Sequence, residues 1–162
     1  MRRAIDSANT NVGIDTISFE IAGSIPLASE LPALTDDSTY LLGSLSRDSI
    51  HSVTLDGTAK TVGSGFTVQS SNNLIKGLRI DGFSDNGIEV VGAVSGNTFS
   101  KNLIYNSGGL EIDLGVDGVT ANDAGDGDTG PNNLVNFPEI DSIFANGAST
   151  FTVFAMLQIR AM

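Results

Sequence analysis

The sequence predicts an all-β fold: a right-handed parallel β-helix with a short N-terminal capping helix and a C-terminal antiparallel hairpin. Three observations predict it. First, Gly65-Phe66-Thr67-Val68, Gly87-Ile88-Glu89-Val90 and Gly109-Leu110-Glu111-Ile112 share the pattern glycine, apolar, polar, apolar, with a 22-residue spacing. Second, Val53-Thr54-Leu55-Asp56-Gly57 recurs as Leu78-Arg79-Ile80-Asp81-Gly82, and the pairs Ile75/Phe99 and Ile80/Ile104 repeat at almost the same interval. Third, these runs are short, are bounded by glycine and asparagine, and leave no room for a crossover helix. A recurrence of roughly 20–30 residues marks a solenoid. One coil cannot bury its own inward side chains. Coils stacked about 4.8 Å apart bury them as a continuous column, with the strands paired in parallel.

The elements follow in order. Arg3, Ala4, Ile5 and Ala8 place small and apolar side chains on one face of a short helix ending near Asn9-Thr10-Asn11. Ile17, Phe19 and Ile21 then alternate with Ser18 and Glu20, as in a strand with one buried face, and Ile25 and Leu27 repeat this after Gly23. Pro26 and Pro32 forbid a long helix here. The two interleaved series carry the centre. Asn72, Asn73 and Asn97 fall at equivalent corners and are expected to stack as an amide ladder that satisfies buried backbone groups. After Leu114 the repeat stops, and residues 115–133 form a long polar loop. Ile140-Asp141-Ser142-Ile143-Phe144, the turn signal Asn146-Gly147 and Phe151-Thr152-Val153 then form a hairpin. Residues 1–144 are thus the β-helix domain, and 145–162 a tail. The apolar end of that tail, Phe154-Ala155-Met156-Leu157, is expected to cover the last coil or a second copy, making a homo-oligomer.

The chain has 162 residues, enough for one domain with a core. It has no cysteine, so disulfides and thiolate metal sites are excluded. Its net charge of −11 disfavours nucleic acid and anionic membranes as partners. No apolar run is long enough to insert in a membrane. Arg2 and Arg3 are not followed by an apolar stretch, so the opening residues are not an intact signal peptide.

The residues also resemble a known group. Arg3-Ala4-Ile5-Asp6-Ser7-Ala8-Asn9 is similar to the opening motif of right-handed parallel β-helix surface proteins of the CSLREA type, although Met1-Arg2 stands where that group has Cys-Ser-Leu. Asp15-Thr16-Ile17-Ser18-Phe19 resembles the group's first strand. Asn102-Leu103-Ile104-Tyr105-Asn106 and Gly109-Leu110-Glu111-Ile112-Asp113-Leu114 resemble one of its coils. The most specific match runs from Asp117 to Asn132 and on to Asn136-Phe137-Pro138. The resemblance covers about residues 2–144. It implies an extracellular or cell-surface setting and suggests a fragment of a longer bacterial or archaeal chain. It implies no agreed activity and carries over no catalytic residues.

Candidate chemistry comes from the alternation. With Ile88, Val90, Leu110 and Ile112 facing inward, Glu89, Glu111 and Asp113 face outward, and the 22-residue phase stacks Thr67, Glu89 and Glu111. Two carboxylates one strand apart repel unless something positive intervenes, which would suit a cation, a sugar-contacting strip or a retaining glycosidase pair. A solvated acidic ladder has the same pattern. Arg79, Lys76 and Lys101 are the basic residues of the central coils; Arg79 faces outward between Leu78 and Ile80. Glu89, Glu111, Asp113 and Arg79 are therefore the candidate carbohydrate-binding residues. Asp117, Asn122, Asp123, Asp126 and Asp128 are the candidate calcium ligands, because clustered carboxylate and amide oxygens on a glycine-rich loop suit a hard cation. Their spacing is not that of an EF-hand, and an ion-free turn cluster is the alternative. His51, the single histidine, has no catalytic partner at a suggestive spacing. The expected function is a non-catalytic secreted or cell-surface module, adhesive or structural, that contacts a polysaccharide or another cell-envelope component. The alternative is a carbohydrate-active enzyme, a polysaccharide lyase or glycoside hydrolase. An enzyme of that kind needs Arg79 or Lys101 within reach of two carboxylates in a groove.

Overall fold

A computed structural model describes residues 1–20, 22–43, 52–59 and 63–156, without the side chains of Phe151 and Met156. After helix α1 (Arg2–Ala8), eleven short strands wind into three parallel sheets. The first sheet stacks β1 (Asp15–Ser18), β3 (Thr39–Leu42), β6 (Leu74–Lys76) and β9 (Thr98–Ser100). The second stacks β2 (Gly23–Pro26), β4 (Val53–Asp56), β7 (Arg79–Asp81) and β10 (Leu103–Tyr105). The third stacks β5 (Phe66–Val68), β8 (Ile88–Val90) and β11 (Ile112–Leu114), and Leu34 extends it by a bridge to Val68. The result is a parallel β-solenoid of about four coils, as the repeat predicts.

Each sheet sends side chains inward in rows, one each from the first and second sheets as follows and two from the third. Ile17, Leu41, Ile75 and Phe99 are in register in the first, and Ile25, Leu55, Ile80 and Ile104 in the second. Phe66 and Val68 lie over Ile88 and Val90 in the third. Leu41, Leu55, Ile75, Ile80, Ile88 and Val90 are fully buried. Burying each such side chain contributes roughly 1.5–3 kcal/mol, so these rows are what hold the coils together. Helix α1 covers the first coil with Ile5 and Ala8. Arg2 donates to the backbone carbonyls of Ser29 and Glu30, and Asn9 clamps Ala33 and Thr35.

The third glycine tetrapeptide does not take the rung that its spacing suggests. Strand β11 pairs Ile112, Asp113 and Leu114 with Ile88, Glu89 and Val90, so this step is longer than the 22-residue spacing of the glycines. Leu110, Ile112 and Leu114 are all apolar, and an alternating pattern cannot distinguish registers that differ by one full alternation. Backbone clearance confirms the shift. A side chain at Gly87 would come within 2.7 Å of the Glu111 carbonyl oxygen, as one at Gly65 would collide with that of Gly87. Glu111 thus occupies the rung position equivalent to Gly87, and Gly109 lies ahead of it.

The amide ladder is present, with different members. Asn73 Oδ1 accepts the Thr39 N–H at 2.8 Å, Asn97 Oδ1 accepts the Asn73 N–H at 3.0 Å, and Asn132 Oδ1 accepts the Asn97 N–H at 3.0 Å. Asn72 stands outside it: with φ of 60°, it makes the corner turn. Asn132 arrives from the polar loop and supplies the rung beyond the last coil.

Strand β12 (Glu139–Ala145) and strand β13 (Phe151–Met156) form the C-terminal antiparallel hairpin. It begins at Glu139 and forms a sheet of its own. Ile140, Ile143 and Val153 in this hairpin remain more than half exposed, at 64%, 58% and 53%. At the apolar end of the tail Phe154 is also exposed, while residues 157–162, Leu157 among them, lie outside the described residues.

Candidate functional site

The sequence candidates fall on different parts of the solenoid. Arg79 belongs to the second sheet, whereas Glu89 and Asp113 share the outer face of the third. Glu111 precedes β11 and is exposed; its contribution to that sheet is a carbonyl that accepts the Ile88 N–H at 3.0 Å. The expected Glu89–Glu111 stack is therefore a Glu89–Asp113 stack. Glu89 accepts one hydroxyl on each oxygen, from Ser64 at 2.8 Å and Thr67 at 2.7 Å. Asp113 faces outward in register yet is 4% exposed, with Oδ2 accepting from Asn86 Nδ2 at 3.2 Å.

The second sheet gathers a richer set of groups around Arg79. Its outer face carries two rows. Ser24, Thr54, Arg79 and Leu103 form one, and Pro26, Asp56, Asp81 and Tyr105 the other. The Arg79 guanidinium lies 5.9 Å from the centre of the Tyr105 ring, a cation–π contact made across one rung. Asp81 accepts from Asn106 Nδ2 at 2.9 Å. Asp56 accepts from the Thr58 hydroxyl at 2.6 Å, the Thr58 N–H at 3.0 Å and the Ser24 hydroxyl at 3.2 Å. The Thr58 bonds hold the Asp56 carboxyl below its ordinary range. The Tyr105 phenol is pushed up, first by desolvation and then by its hydrogen bond to Asp81 and the charge on Asp81. Asp56 and Asp81 are directly adjacent in register, so each carboxylate relies on its own donors to offset the other.

Asp56, Asp81, Tyr105 and Asn106 were not among the sequence candidates. The signal is present, because Asp56 and Asp81 hold the same position before the glycine in the two copies of one repeated series, and Tyr105 follows Asp81 at the same interval that separates Ile80 from Ile104.

The acidic loop closes on itself. Asn136 donates to the Asp123 carbonyl and accepts the Asp123 N–H, while its own N–H reaches Asp126 Oδ1 at 2.9 Å. The Asp123 carboxylate accepts the Gly127 N–H, and Asn122 exchanges hydrogen bonds with Phe137. The side chains of Asn122, Asp126 and Asn136 thus fasten residues 122–127 to 136–139, and that of Asp123 closes the turn within the loop. Asp117 stands apart, beside Gly115. Asp128 is half-buried. Among the described residues, no group of three or more His, Cys, Asp or Glu side chains stands close enough to hold a metal ion. His51 lies outside the described residues.

Between the loop and the last coil is an apolar cleft of about 500 Å³, lined by Leu110, Ile112, Leu114, Val119, Leu134 and Phe137 among others. A second cavity of about 410 Å³ lies at the opposite end, beside Met1, Phe19 and Ile25. Among the described residues no helix is long and apolar enough to cross a membrane. Comparison of the chain with protein-family models, with curated proteins and with solved structures finds no match.

Proposed function

We propose that this chain is a non-catalytic module of the CSLREA-type β-helix proteins, secreted or held at the cell surface. Its role is adhesive or structural, with carbohydrate contact along the outer face of the second sheet. The observation that carries this reading is the Arg79–Tyr105 pair, flanked by Asp81 and Asn106. An aromatic ring beside a guanidinium offers a surface for the apolar face of a sugar ring. Carboxylate and amide groups next to it suit the directional hydrogen bonding of hydroxyls. The setting itself is supported by the motif resemblance, which extends over most of the solenoid.

The test is binding of the full chain to arrayed and soluble cell-envelope polysaccharides. Tyr105→Ala and Arg79→Ala should each abolish retention. Binding that both variants retain, or no binding to any glycan offered, would overturn the assignment of this face.

One observation favours a second reading. Arg79 lies one rung or less from two carboxylates, Asp56 and Asp81, which meets one requirement of a lyase or hydrolase, the other being a groove. The same incubations, followed for new reducing ends and for unsaturated products, separate the two readings. Turnover lost in Arg79→Ala would establish the enzyme; binding without turnover would eliminate it.

A further inference from the structure

On the outer face of the third sheet, Thr67, Glu89 and Asp113 follow one another in register, and the strands contribute no basic side chain there. Asp113 is 4% exposed, and its Oδ1 is buried without any hydrogen-bond partner. Its other oxygen has one long bond, to the neutral amide of Asn86. A carboxylate out of contact with water is costly unless a positive group or several donors compensate it. Here its nearest in-register neighbour is a second carboxylate, which aggravates the deficit.

We propose that Asp113 and Glu89 bind a calcium ion between them. The donor set suits it. The two carboxylates stand on neighbouring strands in register, and hard oxygen donors in a flexible arrangement are what calcium takes, at six to eight oxygens. Magnesium demands a near-ideal octahedron of shorter bonds and keeps several of its waters, so two carboxylates favour calcium over it. Asp113 Oδ1 is the free ligand. The Glu89 oxygens are held in place by Ser64 and Thr67, whose hydroxyl lone pairs remain available, and water completes the shell. The loop carboxylates Asp123 and Asp126 differ in this respect, because each already accepts a backbone N–H, from Gly127 and Asn136.

The experiment is calorimetric titration of the chelator-treated full chain with calcium chloride and with magnesium chloride, alongside thermal melts at fixed ionic strength. One calcium site and a calcium-dependent rise in Tm are expected, with a smaller response to magnesium. Asp113→Asn and Glu89→Gln should each weaken calcium binding at least about tenfold, since each removes one ligand charge. Asp128→Asn should leave it unchanged. No binding heat and no Tm shift at millimolar calcium would overturn the proposal. So would calcium binding that Asp113→Asn and Glu89→Gln leave intact, or that Asp128→Asn removes. If Asp113→Asn fails to fold, Glu89→Gln, at the more exposed of the two ligands, decides the question.

Discussion

Replacing Asn73 by alanine removes the central rung of the amide ladder, and its cost can be worked from the bonds involved. Asn73 is 1% exposed. Its Oδ1 is the acceptor for the N–H of Thr39, itself fully buried, and the methyl group of alanine offers no substitute. A buried donor left unsatisfied costs about 1–3 kcal/mol. Asn73 Nδ2 also donates to the Ser70 carbonyl, the Ser70 hydroxyl and Asn97 Oδ1. Those acceptors keep other partners: Asn97 Nδ2 still reaches the Ser70 carbonyl, and the Asn73 N–H still reaches Asn97 Oδ1. Their loss adds about 1 kcal/mol. The expected destabilisation is about 3 kcal/mol, a large share of the roughly 5–15 kcal/mol that holds a domain together. Urea denaturation measures it, with an unchanged m value expected because the surface exposed on unfolding is the same. Hydrogen exchange gives a local check: the Thr39 amide should lose more protection than the global drop accounts for. Asn72→Gly is the neighbouring control, since the left-handed turn there accepts glycine. A loss below about 1 kcal/mol in Asn73→Ala, or Thr39 protection that merely follows the global value, would refute the ladder as a source of stability.

Two further predictions concern Tyr105 and the hairpin. The Tyr105 phenol titrates above its ordinary value, so the folded state holds that proton more tightly than the unfolded chain. The associated stability is fully present below the ordinary tyrosine pKa and is lost as pH rises through the raised one. The chain has two tyrosines, so ultraviolet titration in a Tyr40→Phe background reports Tyr105 alone; Asp81→Asn should lower its midpoint, and an unmoved midpoint would exclude Asp81 as a cause. Ending the chain after Pro138 removes β12 and β13. A two-stranded sheet with Ile140, Ile143 and Val153 exposed is marginal alone, so the full chain should sediment as an oligomer and the shortened one as a folded monomer. Equal oligomeric states would remove the hairpin from the interface.

The inward rows were legible because a stacked coil must repeat its apolar positions, and Ile75/Phe99 and Ile80/Ile104 keep the same step. The step is not constant elsewhere. Leu41 and Ile75 are adjacent in register but much farther apart along the chain, so a search at a fixed period misses that rung. Register in the last coil was ambiguous for a different reason: alternation has a period of two, and Leu110, Ile112 and Leu114 satisfy either choice. That ambiguity put Glu111 in line with Glu89 in the sequence reading, where the structure has Asp113. Arg79 faces outward as expected, but whether it shares a face with Glu89 depends on corner angles that local sequence does not encode, and the two lie on different sheets. Asn132 could not be foreseen, because it lies far along the chain from Asn97, within a loop that has no strand pattern.

The turn that delivers Asn132 has a bearing on assembly. Pro131–Leu134 carries three successive left-handed residues, with φ of 48° at Asn132, 57° at Asn133 and 50° at Leu134, a conformation that non-glycine residues adopt only at a cost. What is gained is a plug. The final coil of a solenoid is a template on which another molecule's strand can grow, the first step toward a filament. With the Asn132 amide already donating to the Asn97 carbonyl and accepting its N–H, an incoming strand must evict a bonded side chain before it can join that line. One asparagine, presented from a strained turn, therefore acts as a chain terminator for the first sheet.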